Sequence, residues 1–155
     1  MGNLISKVYL EAFSHATEDS ERVKEAILNL APTDIRERIS KLLITEITYG
    51  HYGNPIIIYK LNITEKALAS KLGVHLLFRL NEEDKRELFR TLNLRLDHKR
   101  NMYLRLDKQK AFLGEIRLSK GGDDIKAVLG FLPHLKDYNV LERELRKLWE
   151  NLTKR

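Results

Sequence analysis

The stretch Asn101 to Val128, NMYLRLDKQKAFLGEIRLSKGGDDIKAV, limits the possible folds more than any other. Met102, Leu104 and Leu106 alternate with Tyr103 and Arg105, the period of a strand with one buried face. Asp107-Lys108-Gln109-Lys110 breaks the alternation, and Ala111-Phe112-Leu113 runs into Gly114. Ile116-Arg117-Leu118 resumes the period, and Gly121-Gly122-Asp123 reads as a turn before a further strand from Ile125 to Phe131. Basic side chains thus fall between short strands, where a sheet can hold them on one surface. The plainer alternative is a hairpin with solvated lysines.

The same residues carry a resemblance. YLRLDKQKAFLGEIRLSKGGDDIKAV, FSHATEDSERVKEAILNLAP and YGHYGNPIIIYKLNI together resemble, in order, three segments of an archaeal family of small predicted exosome subunits and RNA-binding proteins. The likeness runs from about residue 4 to residue 131. It implies a fold like that of the 5S-rRNA-binding ribosomal protein and a role beside RNA-processing or RNA-degrading machinery.

The remainder of the chain reads as one α+β domain. Leu4 to Ser14 is a strand with apolar residues on both faces, as a central strand requires. Thr17 is the expected N-cap of a helix whose stripe is Val23, Ala26, Ile27 and Leu30, ended by Pro32. A short helical turn spans Thr33 to Leu42. Leu43 to Tyr49 and Ile56 to Ile63 are strands joined by Gly50-His51-Tyr52-Gly53-Asn54-Pro55. Helices follow from Thr64 to about Leu80, with Gly73 a weak point, and from Glu82 to Leu96. A last helix, Asp137 to Lys154, bears a seam of Leu141, Leu145, Leu148 and Leu152 with Trp149 beside it. The expected architecture is two layers: a mostly antiparallel sheet with helices packed on one face.

Composition narrows the function. Of 155 residues, 28 are Lys or Arg and 22 are Asp or Glu, a net charge of +6. Eight basic and four acidic residues lie between Lys99 and Lys126, a net of +4 in the segment that carries the resemblance. That points to an anionic partner, RNA first. With no cysteine, a disulfide framework, a thiol nucleophile or a cysteine metal site is excluded. No segment approaches the roughly 18 apolar residues of a membrane helix, and a cytoplasmic location is expected. Gly2 and Ser6 of MGNLIS match an N-myristoylation pattern, although the segment continues directly into a strand.

The candidate contacts are Arg105, Lys108, Lys110, Arg117 and Lys120 on phosphates, and Gln109 on a sugar or base edge. His51 and Tyr52 project from the glycine loop, where an aromatic ring can stack on a base. His15, just before the first helix, is a turn residue or a further RNA contact. Asp107 is expected to cap the turn after its strand. No cofactor, catalytic set or metal site is complete, since His15 with Asp19 gives zinc two ligands of the three or four it needs. The leading expectation is a non-catalytic RNA-binding protein, monomeric or dimeric through the C-terminal helix. The alternatives are a phosphodiesterase or RNA-modifying enzyme using His15 and His51, and a scaffold acting through its last helix.

Overall fold

A computed structural model describes residues 4–135 and 137–153, with side chains to residue 150. Gly2 of the acylation pattern, the Leu152 side chain of the seam and Lys154 lie outside the described residues. Strand β1 (Ile5–Ser14) leads to α1 (Ser20–Asn29) and α2 (Arg36–Leu42). The hairpin β2 (Ile44–Tyr49) and β3 (Pro55–Ile63) comes next, then α3 (Lys66–Phe78), α4 (Glu82–Arg90) and α5 (Leu92–Arg95). Strand β4 (Asn101–Asp107), α6 (Lys108–Phe112), β5 (Asp124–Phe131) and α7 (Tyr138–Thr153) complete the described chain. The five strands form one antiparallel sheet in the order β2-β3-β1-β5-β4, with the helices packed against it.

β1 is the central strand, as its apolar residues on both faces require. Ile5, Val8, Leu10 and Ala12 are buried under the helices, while Lys7, Tyr9, Glu11 and Phe13 face the other way. The register extends this division across the sheet, because directly paired antiparallel residues share a face. Tyr9 stands opposite Asn62 and Val128, Glu11 opposite Lys60 and Lys126, and Phe13 opposite Ile58. Tyr103 stands opposite Val128, and Arg105 opposite Lys126. The helices cover the first face, and the second is an open surface.

Gly73 does not break α3. It sits where the helix presses on β1: a Cβ built there would lie 2.5 Å from Ile5 Cδ1 and 3.1 Å from Ile5 Cγ2. Close backbone approach, not flexibility, explains the glycine. Several boundaries differ from those expected of the sequence, α2 starting at Arg36 and α3 at Lys66 among them. Asp19 rather than Thr17 caps α1, its carboxylate accepting from Glu21 N. The expected helix Glu82 to Leu96 divides at Thr91, whose hydroxyl donates to the Glu87 carbonyl and accepts from Arg95 Nε, so the side chain competes with the backbone ladder. Ile116 to Leu118 is no full strand. It makes one bridge, Leu118 to Leu106, flanked by Asp107 N to Arg117 O and Ser119 N to Arg105 O.

The seam of α7 is covered by its own chain. Leu141, Leu145, Leu148 and Trp149 are buried, and the Trp149 indole N–H donates to the Leu77 carbonyl at 2.8 Å. The Trp149 ring meets Phe89 edge-on with centroids 4.7 Å apart. Among its described residues, the helix therefore spends its apolar seam on its own chain, and none of that seam is left for the dimer or scaffold interface expected there. Leu145→Ala should cost about 2–5 kcal/mol, with an unfolding midpoint that does not move with protein concentration.

Gly73→Ala should lower the thermal midpoint even though alanine is the better helix former by about 1 kcal/mol. Overpacking against Ile5 costs about 1–3 kcal/mol. Adding Ile5→Val, which removes the clashing Cδ1, should recover part of that stability in a thermal double-mutant cycle. Independent, additive effects would contradict the close packing.

Candidate nucleic-acid interface

The antiparallel order brings the motif residues to one end of the sheet. β1 and β4 finish there, and β3 and β5 begin there. The turn His15–Asp19, the hairpin tip Gly50–Asn54, the Asp107–Lys110 segment and the Gly121–Asp123 loop share this rim. Asp107 caps α6 as expected, accepting from Lys110 N at 2.8 Å. In the hairpin tip Gly53 has φ +80, and Gly50 N donates to Asn54 O at 2.8 Å. The tip holds Tyr52 91% exposed, its ring edge-on to His51.

Lys108 departs from the expectation of a phosphate contact. It is 7% exposed. Its ammonium donates to the Phe13 carbonyl at 2.8 Å, to both Glu18 carboxylate oxygens at 3.0 and 3.1 Å, and to Asp123. All three of its hydrogens have protein acceptors, so it is a structural cation. The same contacts bear on the expectation of no metal site. His15, Glu18 and Asp123, rather than His15 and Asp19, bring ligand atoms within 4.8 Å of one another. His15 Nε2 lies 3.7 Å from Asp123. The Lys108 ammonium already supplies the positive charge at that point, and a divalent ion would be repelled by it.

The other expected contacts are scattered along the rim. Arg117 is bound by Nε to Asp84 Oδ2 at 2.9 Å, and Asp84 also accepts from Leu118 N, so this arginine docks its segment on α4. Hydrogen bonding to Asp84 raises its pKa further. Lys120 is exposed, 3.9 Å from Glu83, and Lys110 is 3.9 Å from Glu115. Both are weak, solvated pairs that leave the cation available. Gln109 lines a cavity of about 440 Å³ with Glu18, Asp19, Arg22 and Phe112. Arg105 stands on the open sheet face, bound to Asp124 at 3.1 Å.

That open face holds residues that were not among the expected contacts: Lys7, Tyr9, Phe13, Asn62 and Lys126. Phe13 and Tyr103 are exposed apolar surfaces on it. Lys126 Nζ sits 5.9 Å from the centroid of the Tyr103 ring. The Tyr103 hydroxyl donates to Asp97 at 3.3 Å; burial first, then the Asp97 charge, raises its pKa. Burial and the hydrogen bond to Glu11, 2.6 Å long, push the Tyr9 hydroxyl well above the ordinary range. Beside Tyr9 lies a hollow of about 280 Å³ lined also by Lys7, Asn62, Asn101, Val128 and Gly130. Gly130 makes the hollow possible, since a Cβ there would lie 2.5 Å from Lys7 Cγ. Glu46 and Asp124 tie down Lys60 and Arg105. Among the described residues, Lys7 and Lys126 make no ion pair. The alternation in β1 and β4 was the signal for this surface, but only the strand order shows which faces are left uncovered.

A sequence model of a family described as RNA binding matches residues 7–131. The chain belongs to that family. It is 38% identical to an uncharacterised protein of Methanocaldococcus jannaschii over 144 residues, 90% of this chain and 95% of that one. It is 36% identical to an RNA-binding protein of Pyrococcus abyssi over 118 residues, 76% of each. A crystal structure of a DUF54 protein from Archaeoglobus fulgidus superposes with a TM-score of 0.74 at 33% identity, covering 93% of this chain and 99% of that one.

Lys108→Ala should cost about 1.5–3 kcal/mol, the worth of hydrogen bonds to charged groups, because two carboxylates and the Phe13 carbonyl are deprived of their donor together. Lys110→Ala should leave the midpoint unchanged in the same thermal melt. Equal midpoints for both variants would contradict the structural role of Lys108.

Proposed function

We propose that the chain holds RNA on the open face of its sheet and the adjoining rim, without cutting it. The observation that carries this is the helix-free face on which Tyr9, Phe13 and Tyr103 stand among Lys7, Arg105 and Lys126. Unpaired bases stack on aromatic rings presented by a sheet, and lysines beside the rings take up phosphates. The hollow between Tyr9 and Val128, edged by the side-chain amides of Asn62 and Asn101, has room and hydrogen-bonding groups for a base edge. Lys110, Lys120, His51 and Tyr52 extend the surface along the rim. Family membership and the RNA-binding relative support RNA as the partner. The RNA served is that of a processing, degrading or ribosome-related machinery, such as the exosome.

The test is binding of single-stranded and structured RNA measured by fluorescence anisotropy across a salt series. The log–log slope should be negative, close to −0.7 per phosphate neutralised on a single strand. Tyr103→Ala should weaken binding by about 1–3 kcal/mol, the worth of one base stack. Lys7→Ala with Lys126→Ala should flatten the slope by about 0.7 for each phosphate that is no longer neutralised. Unchanged affinity and slope in all of these would overturn the sheet as the interface. Labelled RNA held with the protein and magnesium or manganese should remain intact. Cleavage that disappears in His15→Ala or His51→Ala would establish the enzyme reading instead.

A further inference from the structure

The helix layer holds a cavity that the RNA surface does not use. It measures about 420 Å³ and lies among the start of α2, the end of α3 and the turn that leaves α6. Arg36, His75 and Arg79 line it, and no carboxylate does. The neighbouring cavity beside Gln109 mixes Glu18, Asp19 and Asp123 with Arg22 and Lys108. The two share only Phe112 and Leu113, so an ion-paired lining gives way to a purely basic one across that ridge.

The positive groups are placed, not merely nearby. Arg36 Nη2 donates to the Ala31 carbonyl at 2.9 Å, which fixes its guanidinium. Its Nε is buried and has no acceptor, a costly arrangement for a charged donor. Arg79 follows His75 by one helical turn and is exposed, with no ion pair among the described residues. The opposite wall is rigid: Asn29 Nδ2 donates to the carbonyls of Ala111 and Phe112 at 3.2 and 3.1 Å. Gly114, at φ +88, turns the chain away and leaves the mouth open. Burial first, then the charges of Arg79 and Arg36, holds the His75 pKa below the ordinary histidine value. Asp34 alone opposes them, and its carboxylate is bound to Lys71. Two guanidiniums and an imidazole around an acid-free cavity suit a group with several anionic oxygens.

We propose that this cavity is a phosphate-binding site, with Arg36 and Arg79 as the charged donors and His75 as the third. The phosphate is a terminal one on RNA or an internal phosphodiester. The site lies in the helix layer, away from the open sheet face, and stands without that reading.

The experiment is titration of the folded protein with inorganic phosphate, followed by two-dimensional NMR. Saturable shifts at Arg36, His75 and Gly114 are expected. The His75 ring should titrate at a higher pH in phosphate than in chloride, because a bound anion favours the imidazolium. Arg79→Gln, at an exposed position that does not threaten folding, should weaken phosphate binding about tenfold, the worth of one charged hydrogen bond. Tyr103→Ala on the sheet should leave it unchanged. A 5′-phosphorylated oligoribonucleotide that outcompetes its 5′-hydroxyl twin in the wild type but not in Arg79→Gln identifies a terminal phosphate. Equal affinity of the two, both reduced by Arg79→Gln, identifies an internal one. No saturable shift at these residues, or wild-type binding by Arg79→Gln, overturns the proposal whatever the sheet variants do.

Discussion

One ammonium group organises the rim on which the functional surface ends. Lys108 opens α6 immediately after β4. From there it reaches the carbonyl of Phe13 at the end of β1, the carboxylate of Glu18 in the turn toward α1, and Asp123 at the entrance to β5. Glu18 and Asp123 would repel each other without a cation between them, and a buried lysine would lose its charge without acceptors. Each group is tolerable only because the others are present. Strand ends far apart in sequence are therefore held in one relation, and the loops between them inherit it. The residues of the three sequence motifs meet here because they build the rim. Their first task is architectural.

The sheet above that rim divides its labour by face. Period-two alternation puts one set of side chains under α1 and α3 and leaves the other set uncovered. The uncovered set is unusual for a solvated face, because it includes Tyr9, Phe13, Ile58, Tyr103 and Val128. The helices could not cover both faces, since each long helix follows a connection that returns to the same side. The proposed function leaves the aromatic residues to a partner that stacks, and the flanking lysines favour an anionic one.

The strands, the long helices and the two-layer architecture were legible in the sequence because each rests on a periodicity that local residues carry. The break at Thr91 was not, because it depends on one hydroxyl choosing the Glu87 carbonyl over solvent. The candidate site was legible only in part. Arg105, Lys110 and Lys120 are where a basic cluster between strands should put them. Lys108 and Arg117 look the same in sequence, yet each is taken up by carboxylates distant along the chain: Glu18 lies 90 residues away from Lys108, and Asp84 lies 33 from Arg117. A run of lysines records charge and not its partners. Lys126 and Lys7 were passed over for the converse reason, since only the register across β1, β5 and β4 shows them on the same open face. Arg36, His75 and Arg79 had no shared motif at all.

The division between engaged and unengaged cations has a consequence for how the protein meets RNA. Counterion release follows the cations that touch phosphate, not the total of 28 basic residues. Lys108 and Arg117 are held by carboxylates on the folded chain, and moving either to a phosphate would leave Glu18, Asp123 or Asp84 unpaired beside the RNA. That exchange costs as much electrostatic energy as it returns. Lys7, Lys126 and Arg79 have no such obligation, and the loose pairs of Lys110 and Lys120 yield readily in salt. On the proposed reading, the net charge of +6 sets how often the protein encounters a polyanion, and a few unpaired side chains set how it is held. Those few lie on surfaces fixed by the engaged ones, so the structural ion pairs act on binding through geometry and not through charge.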